Sequence, residues 1–305
     1  MTDQQSGNPR AVQQPSVAVQ KLGLLLGTPV RWLTRVAPDV VTRGLVHLHR
    51  PMLGDVEVAI NHDGFKILVN PQDNCGGRLY YWGSYEPDAT TWFKSLLVTL
   101  RPSLFVDIGA NIGHYTFTAA RLGVPRIIAV EPSPALASNL ERSTKLNGWG
   151  RPQIQIVQAA IADSNGTTRF WLNREEHNFG TGSLLRARQT ADNRSVVVPC
   201  YTGDHLLCDE HPDQVLVKID VEGAECLALK GMTDCLPRLR PTLMIELHPA
   251  QLATFGHSSA EVLRLLRGFG YELARLDRTK EVTIASASSL RATIQWIVAR
   301  PERGC

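Results

Sequence analysis

Two strand-like segments close this chain, YELARL (271–276) and ATIQWIVA (292–299), with no helical pattern between them, and that ending restricts the fold more than any other feature. Upstream, strand patterns at 104–107, 126–131, 154–159, 214–220 and 242–248 are interleaved with helical patterns at about 113–122, 134–147, 223–230 and 258–269. Such alternation is the rhythm of a parallel sheet covered by helices on both faces. Two consecutive strands without a crossover helix run antiparallel to each other. The expected fold is therefore α/β, with a mostly parallel sheet that finishes in an antiparallel hairpin. A further pair, TTRFWL (167–172) and SVVVPCY (195–201), encloses a polar loop and is expected to form a β excursion beside the sheet.

The segments ahead of the alternation have a different character. Residues 1–20 are rich in Gln, Pro and Ser and too poor in large apolar side chains to offset their ordering entropy, so they read as a disordered lead-in. Residues 21–50 read as amphipathic helices interrupted at Pro29 and Pro38, packed on the main domain or on a second subunit, or laid on a membrane surface. Their apolar run is far short of a bilayer crossing. VEVAI and FKILV, joined by NHDG, predict a β-hairpin. The domain reading is thus a lead-in over 1–20, helices and hairpin over 21–78, and the main domain over 79–300. A hydrophobic content of 43% over 305 residues supports a full core, and a net charge of +3 from 32 basic and 29 acidic residues gives no reason to expect a nucleic-acid partner. Six cysteines without Cys-x-x-Cys spacing fit reduced thiols and a cytoplasmic location.

The first strand of the alternation runs into a corner, LFVDIGANIGHYTF (104–117). Gly109 and Gly113 permit a tight turn and let a ligand lie on bare backbone, and the free amides of the helix that follows suit a carboxylate or phosphate. That describes a nucleotide-type cofactor site, although the dinucleotide fingerprint has glycine where this chain has Asn111. The second strand ends at Glu131, where such folds place an acid for ribose hydroxyls. The third leads to Asp163, which either accepts from an adenine amino group or merely starts the Asp-Ser-Asn-Gly turn. In VKIDVEGAE, Lys218, Asp220 and Glu222 share one strand face, and in IELHP so do Glu246 and His248. The fourth and fifth strands are neighbours in this topology, so Asp220, Glu222, Glu246 and His248 should converge at the carboxyl edge; a plain Lys-Asp ion pair is the alternative. His248 is the candidate proton acceptor. The same set suits a divalent metal such as magnesium or manganese, which is not the favoured reading, and no metal ligand is assigned.

VDIGANIGHYT, AVEPSP, AAIADSNG, NFGTGSL and VKIDVEGAE with IELHP stand in the order, and near the spacing, of the FkbM family of S-adenosylmethionine-dependent methyltransferases, which the chain resembles over roughly residues 78–250. GSYEP (83–87) also resembles that family's lead into the fold. The resemblance implies a class I methyltransferase (Rossmann-like) fold with a seven-stranded sheet, S-adenosylmethionine as donor, and O-methylation of a small molecule, secondary metabolite or glycan. It implies donor contacts from Glu86, Asp107, Gly109, Asn111, Gly113, Tyr115, Glu131, Asp163 and Asp220, with Asp107 at the methionine end. Asn178 and Ser183 would touch the acceptor, unless their loop is only the tip of the excursion. One departure is visible: TGDHLL (202–207) keeps only Asp204 where the family shows Leu-Asp-Asp. Methyl transfer is an in-line displacement, and a hydroxyl acceptor must also lose its proton. The competing readings are an NAD(P)-binding oxidoreductase, against which Asn111 and the terminal hairpin count, and a non-catalytic scaffold that binds the donor. No residue run identifies the acceptor.

Overall fold

The computed structural model describes residues 56–150, 153–172, 182, 184, 195–278 and 280–302. The expectations for residues 1–20 and 21–50, and for Asn178 and Ser183, lie outside them.

The described chain opens with the expected hairpin, β1 (Glu57–Ile60) against β2 (Lys66–Val69). Helices α1 (Asn74–Trp82) and α2 (Pro87–Leu100) follow, and α1 went unread because its glycines look like a loop. Packing overrides that propensity: a side chain at Gly76 would collide with the Asn70 carbonyl, and the Asp73 carboxylate caps the helix by accepting from the Gly76 amide at 3.2 Å.

The alternation then appears as read, with ends shifted by a few residues: β3 (Leu104–Ile108), α3 (His114–Arg121), β4 (Arg126–Val130), α4 (Pro134–Leu146) and β5 (Ile154–Val157). A side sheet of β6 (Ala160–Ile161), β7 (Gly166–Trp171) and β8 (Ser195–Tyr201) forms the excursion, in the order β6-β8-β7. Short helix α5 (Gly203–Leu206) leads to β9 (Val215–Ile219), α6 (Glu225–Lys230), α7 (Cys235–Leu239), β10 (Thr242–Leu247), α8 (Pro249–Thr254) and α9 (Ser259–Gly268). The chain finishes through β11 (Tyr271–Asp277), β12 (Lys280–Thr283) and β13 (Gln295–Pro301).

The main sheet has the order β12-β11-β13-β10-β9-β3-β4-β5. Strand β13 runs antiparallel between β10 and β11, which is the terminal reversal expected from the sequence. The sheet has eight strands and not seven, because the connection from β11 doubles back at Arg278 and pairs with β11 as β12. All four β12 residues are exposed. Its Lys and Glu side chains, on an outer strand, deter pairing with another chain. The remaining seven strands have the arrangement of the class I methyltransferase fold.

Alternation along the strands divides the core in two. Val106, Ile108, Val217, Ile219, Leu243 and Ile245 pack on α6 and α9, and Phe105, Leu216, Met244 and Val298 pack under α2 and α3. The hairpin joins the second layer: Phe65 meets Phe117 and Trp149, and the side chain of Asn147, the residue that caps the end of α4, bridges the backbone amide and carbonyl of Lys66 at 2.7–2.8 Å. Asp107, Lys218, Asp220, Glu246 and Trp296 therefore sit on one face, at the edge where β3, β9 and β10 end and β13 begins.

Candidate active site

Parallel pairing places Lys218 beside Asp107. The lysine is buried, 3.2 Å from the Asp107 carboxylate and 3.5 Å from Asp220, and its ammonium donates to the Gly109 carbonyl at 3.0 Å. Burial alone would lower the pKa of this ammonium, but Asp107 and Asp220 hold it well above the ordinary value. The other Asp107 oxygen accepts from the Thr116 hydroxyl at 2.6 Å. Asp107 is fully buried and does not line the cleft described below.

The turn after β3 is shaped by close approach. A side chain at Gly109, whose φ is +81°, would sit 1.8 Å from the Asp220 carbonyl, so only glycine lets the β3 and β9 ends meet there. Asn111 also takes a left-handed φ, +51°, and its amide donates to Glu131 at 2.8 Å. The second Glu131 oxygen accepts from the Ser133 amide at 2.9 Å. Glu131 is buried at the end of β4, and burial pushes its pKa up to about 7 against the pull of those two amides.

Gly109, Asn111 and Glu131 line a cleft of ≈ 600 Å³ together with Asp220 and Glu222. Its apolar wall comes from Ala160, Ile161, Phe170 and Leu184. Acceptor contacts were expected of this excursion's loop, but Phe170 was not singled out, although its place as a buried apolar residue within TTRFWL was the available signal. Gly113 does not face the cleft. A side chain there would strike Leu140 and Phe117, so it serves helix packing, and among the described residues no part of the first turn of α3 lines the site. The expected seat for a phosphate on those helix amides is therefore absent from the cleft. Asp163 is exposed beyond the wall and belongs to the turn.

At the β9 and β10 ends the expected convergence is present. Register sets Ile219 beside Ile245, and hence Asp220 beside Glu246, while Glu246 pairs across with Trp296. The His248 Nε2 atom lies 2.6 Å from Glu246, and its Nδ1 lies 3.7 Å from Glu222. Glu222, with φ +53°, is turned toward the histidine by the loop that Gly223 packs tightly against Gln251 at the start of α8. Glu86 and Tyr115 join from the other layer: the tyrosine hydroxyl donates to Glu86 at 2.7 Å, and its ring lies under the Lys218 ammonium at 5.2 Å. Neither lines this cleft; Glu86 borders a second groove.

The acids outnumber the cations here. Burial, then the neighbouring charges of Asp220 and Glu86, push Glu246 up to about 11, so it keeps its proton at neutral pH. Burial and Asp220 likewise raise Glu86 and Glu222. Ligand atoms of Asp220, Glu246 and His248 lie within 4.8 Å of one another, near enough for one divalent cation or for a shared proton.

A model of the methyltransferase FkbM domain matches residues 107–273, more than half of the chain. The chain belongs to the FkbM methyltransferase family. Its curated relatives include methyltransferase sdnD of Sordaria araneosa, 28% identical over 52% of this chain and 74% of that protein. Hexuronic acid methyltransferase AglP of Haloferax volcanii is 25% identical over 58% of this chain and 68% of its own. A solved methyltransferase FkbM from Methylobacillus flagellatus KT covers 64% of this chain and 42% of its own, at 17% identity and a TM-score of 0.39. Among the described residues of this FkbM methyltransferase, no helix is long and apolar enough to cross a membrane.

Proposed function

We propose that this methyltransferase takes its methyl group from S-adenosylmethionine and delivers it to a hydroxyl of a small molecule or sugar. The observation that carries the donor assignment is Glu131, a buried carboxylate at the mouth of β4 whose two oxygens are oriented by backbone amides. Each oxygen keeps a second lone pair for a ribose hydroxyl, and the apolar wall by Phe170 suits an adenine ring. Gly109 and Asp220 line the other end, where the carboxylate suits a cationic methionine portion. A dinucleotide fits less well, because no residue of the first turn of α3, which would hold its pyrophosphate, is among the described residues that line the cleft.

His248 takes the acceptor's proton. Its Nε2 pairs with Glu246 at 2.6 Å, which fixes the ring, and with the proton on Nε2 the Nδ1 lone pair is the base. The imidazolium formed is flanked by the Glu222 carboxylate. The work of the site is alignment of donor and acceptor with water excluded, plus this single proton transfer. A sugar acceptor agrees in kind with the name of the AglP relative. A cytoplasmic location is a further part of this reading; the acceptor contacts expected of Asn178 and Ser183 fall outside the described residues and are not part of it.

The test is transfer of labelled methyl from S-adenosylmethionine into a fractionated extract of the source organism, by the native chain and by His248→Ala. A labelled ether product, lost by about 10²–10⁴-fold in the variant and unchanged after dialysis against a chelator, is the expected result. Label on nitrogen or carbon, or a chelator-sensitive rate restored by magnesium, contradicts it.

A further inference from the structure

The second groove, ≈ 720 Å³, lies between the start of α2 and the strand ends of β11 and β13. It opens on the same sheet edge as the acid cluster, since β11 runs parallel to β10 and β13 enters where β10 leaves. Its charge is divided. One end carries Glu86 and Asp88, and the other carries Arg278 and Arg291. Trp296, the cross-strand neighbour of Glu246, also lines the groove.

The basic end is built rather than incidental. The buried Gln295 side chain grips the Arg291 backbone twice, accepting from its amide at 3.1 Å and donating to its carbonyl at 2.9 Å. The Arg291 guanidinium is steadied by Asp277 at 2.8 Å. Arg278 occupies a left-handed position, φ +57°, which ordinarily goes to glycine or asparagine, and it makes no hydrogen bond or ion pair among the described residues. That conformation is what the two-residue turn between Asp277 and Lys280 requires, and the turn presents the Arg278 cation to the groove.

We propose that this groove is the acceptor site and that it takes an anionic polyhydroxy ring. The ring lies against Trp296, its reacting hydroxyl is directed to the Glu86 end beside Glu246 and His248, and its anionic group is held by Arg278 and Arg291. The proposal rests on the methyltransferase reading of the neighbouring cleft and names the acceptor class for it. Two anions share this chemistry: a carboxylate, which matches the guanidinium fork in a two-pronged fashion, and a phosphate.

Calorimetric titration of the full chain loaded with S-adenosylhomocysteine tests it, using glucuronate, glucose 6-phosphate and glucose, which differ only at the terminal group. The expected result is binding of an anionic sugar at least about tenfold tighter than glucose, by the usual gain of a charge-assisted pair. Tighter glucuronate names the carboxylate, and tighter glucose 6-phosphate names the phosphate. Arg278→Gly relieves the backbone, so the fold survives, S-adenosylhomocysteine still binds, and the preference for the anionic sugar collapses; Arg278→Lys restores part of it. Equal binding of all three sugars, binding of none while S-adenosylhomocysteine binds, or full preference in Arg278→Gly overturns the proposal. Failure of S-adenosylhomocysteine itself to bind overturns the methyltransferase reading beneath it.

Discussion

The cleft proposed for the donor and the acid cluster lie at the same sheet edge, yet their carboxylates are treated in opposite ways. Glu131 stands by itself, with each oxygen met by a backbone amide. Asp220, Glu222, Glu246 and Glu86 crowd one another around a single buried lysine and a histidine, and Glu246 is driven up to about 11. A prepaid hydrogen-bond pattern suits binding, because nothing has to reorganise when a ligand arrives. A surplus of acids suits chemistry, because a proton or a positive charge added there relieves repulsion already present.

The largest expected effect comes from removing the buried Lys218 ammonium that lies between the two regions. Lys218→Met leaves Asp107 buried beside Asp220 without a counter-ion, and should cost about 3–5 kcal/mol of stability in urea unfolding. A loss below about 1 kcal/mol would mean that the pair is not the keystone of the edge. Next in size, Glu131→Gln removes the charge from the binding side and should weaken S-adenosylhomocysteine by about 1.5–3 kcal/mol, or roughly 10–150-fold, in calorimetry. Unaltered affinity would move the ribose elsewhere.

The unliganded protein should also lose stability between about pH 4.5 and 7. Burial raises the Glu131 and Glu225 pKa values to about 7, so the folded state retains protons that the unfolded chain has released above its ordinary carboxylate range. The unfolded state then binds fewer protons, and stability falls as pH rises through that window. Melting temperatures that climb from pH 4.5 to 7 would reverse the sign. The smallest effect is expected at Glu246→Gln, which imitates the protonated carboxyl and should change stability at pH 7 by less than about 1 kcal/mol. A large destabilisation would show that Glu246 is ionised, and the contrast between the two regions would disappear.

Much of this was legible in the sequence, and the limits follow from physics. Period-two and helical patterns located the parallel strands, and alternation alone placed Asp220, Glu222, Glu246 and His248 together, because register in a buried sheet is strongly determined. Glu131 was found for the same reason. Contact direction was less visible. Asp107 and Gly113 have residue types that suit a ligand, but both face packed neighbours, and that depends on how close β9 and α4 come. Strand β12 escaped because an exposed outer strand has no apolar alternation, and the groove beside Trp296 depends on three segments far apart in the chain.

The central claim is that the corner after β3 seats one sulfonium nucleoside. Titrating the native chain with S-adenosylhomocysteine and with NAD in a calorimeter tests it most directly. The account predicts saturable binding of S-adenosylhomocysteine at one site per chain and none of NAD; binding of NAD without S-adenosylhomocysteine would contradict it.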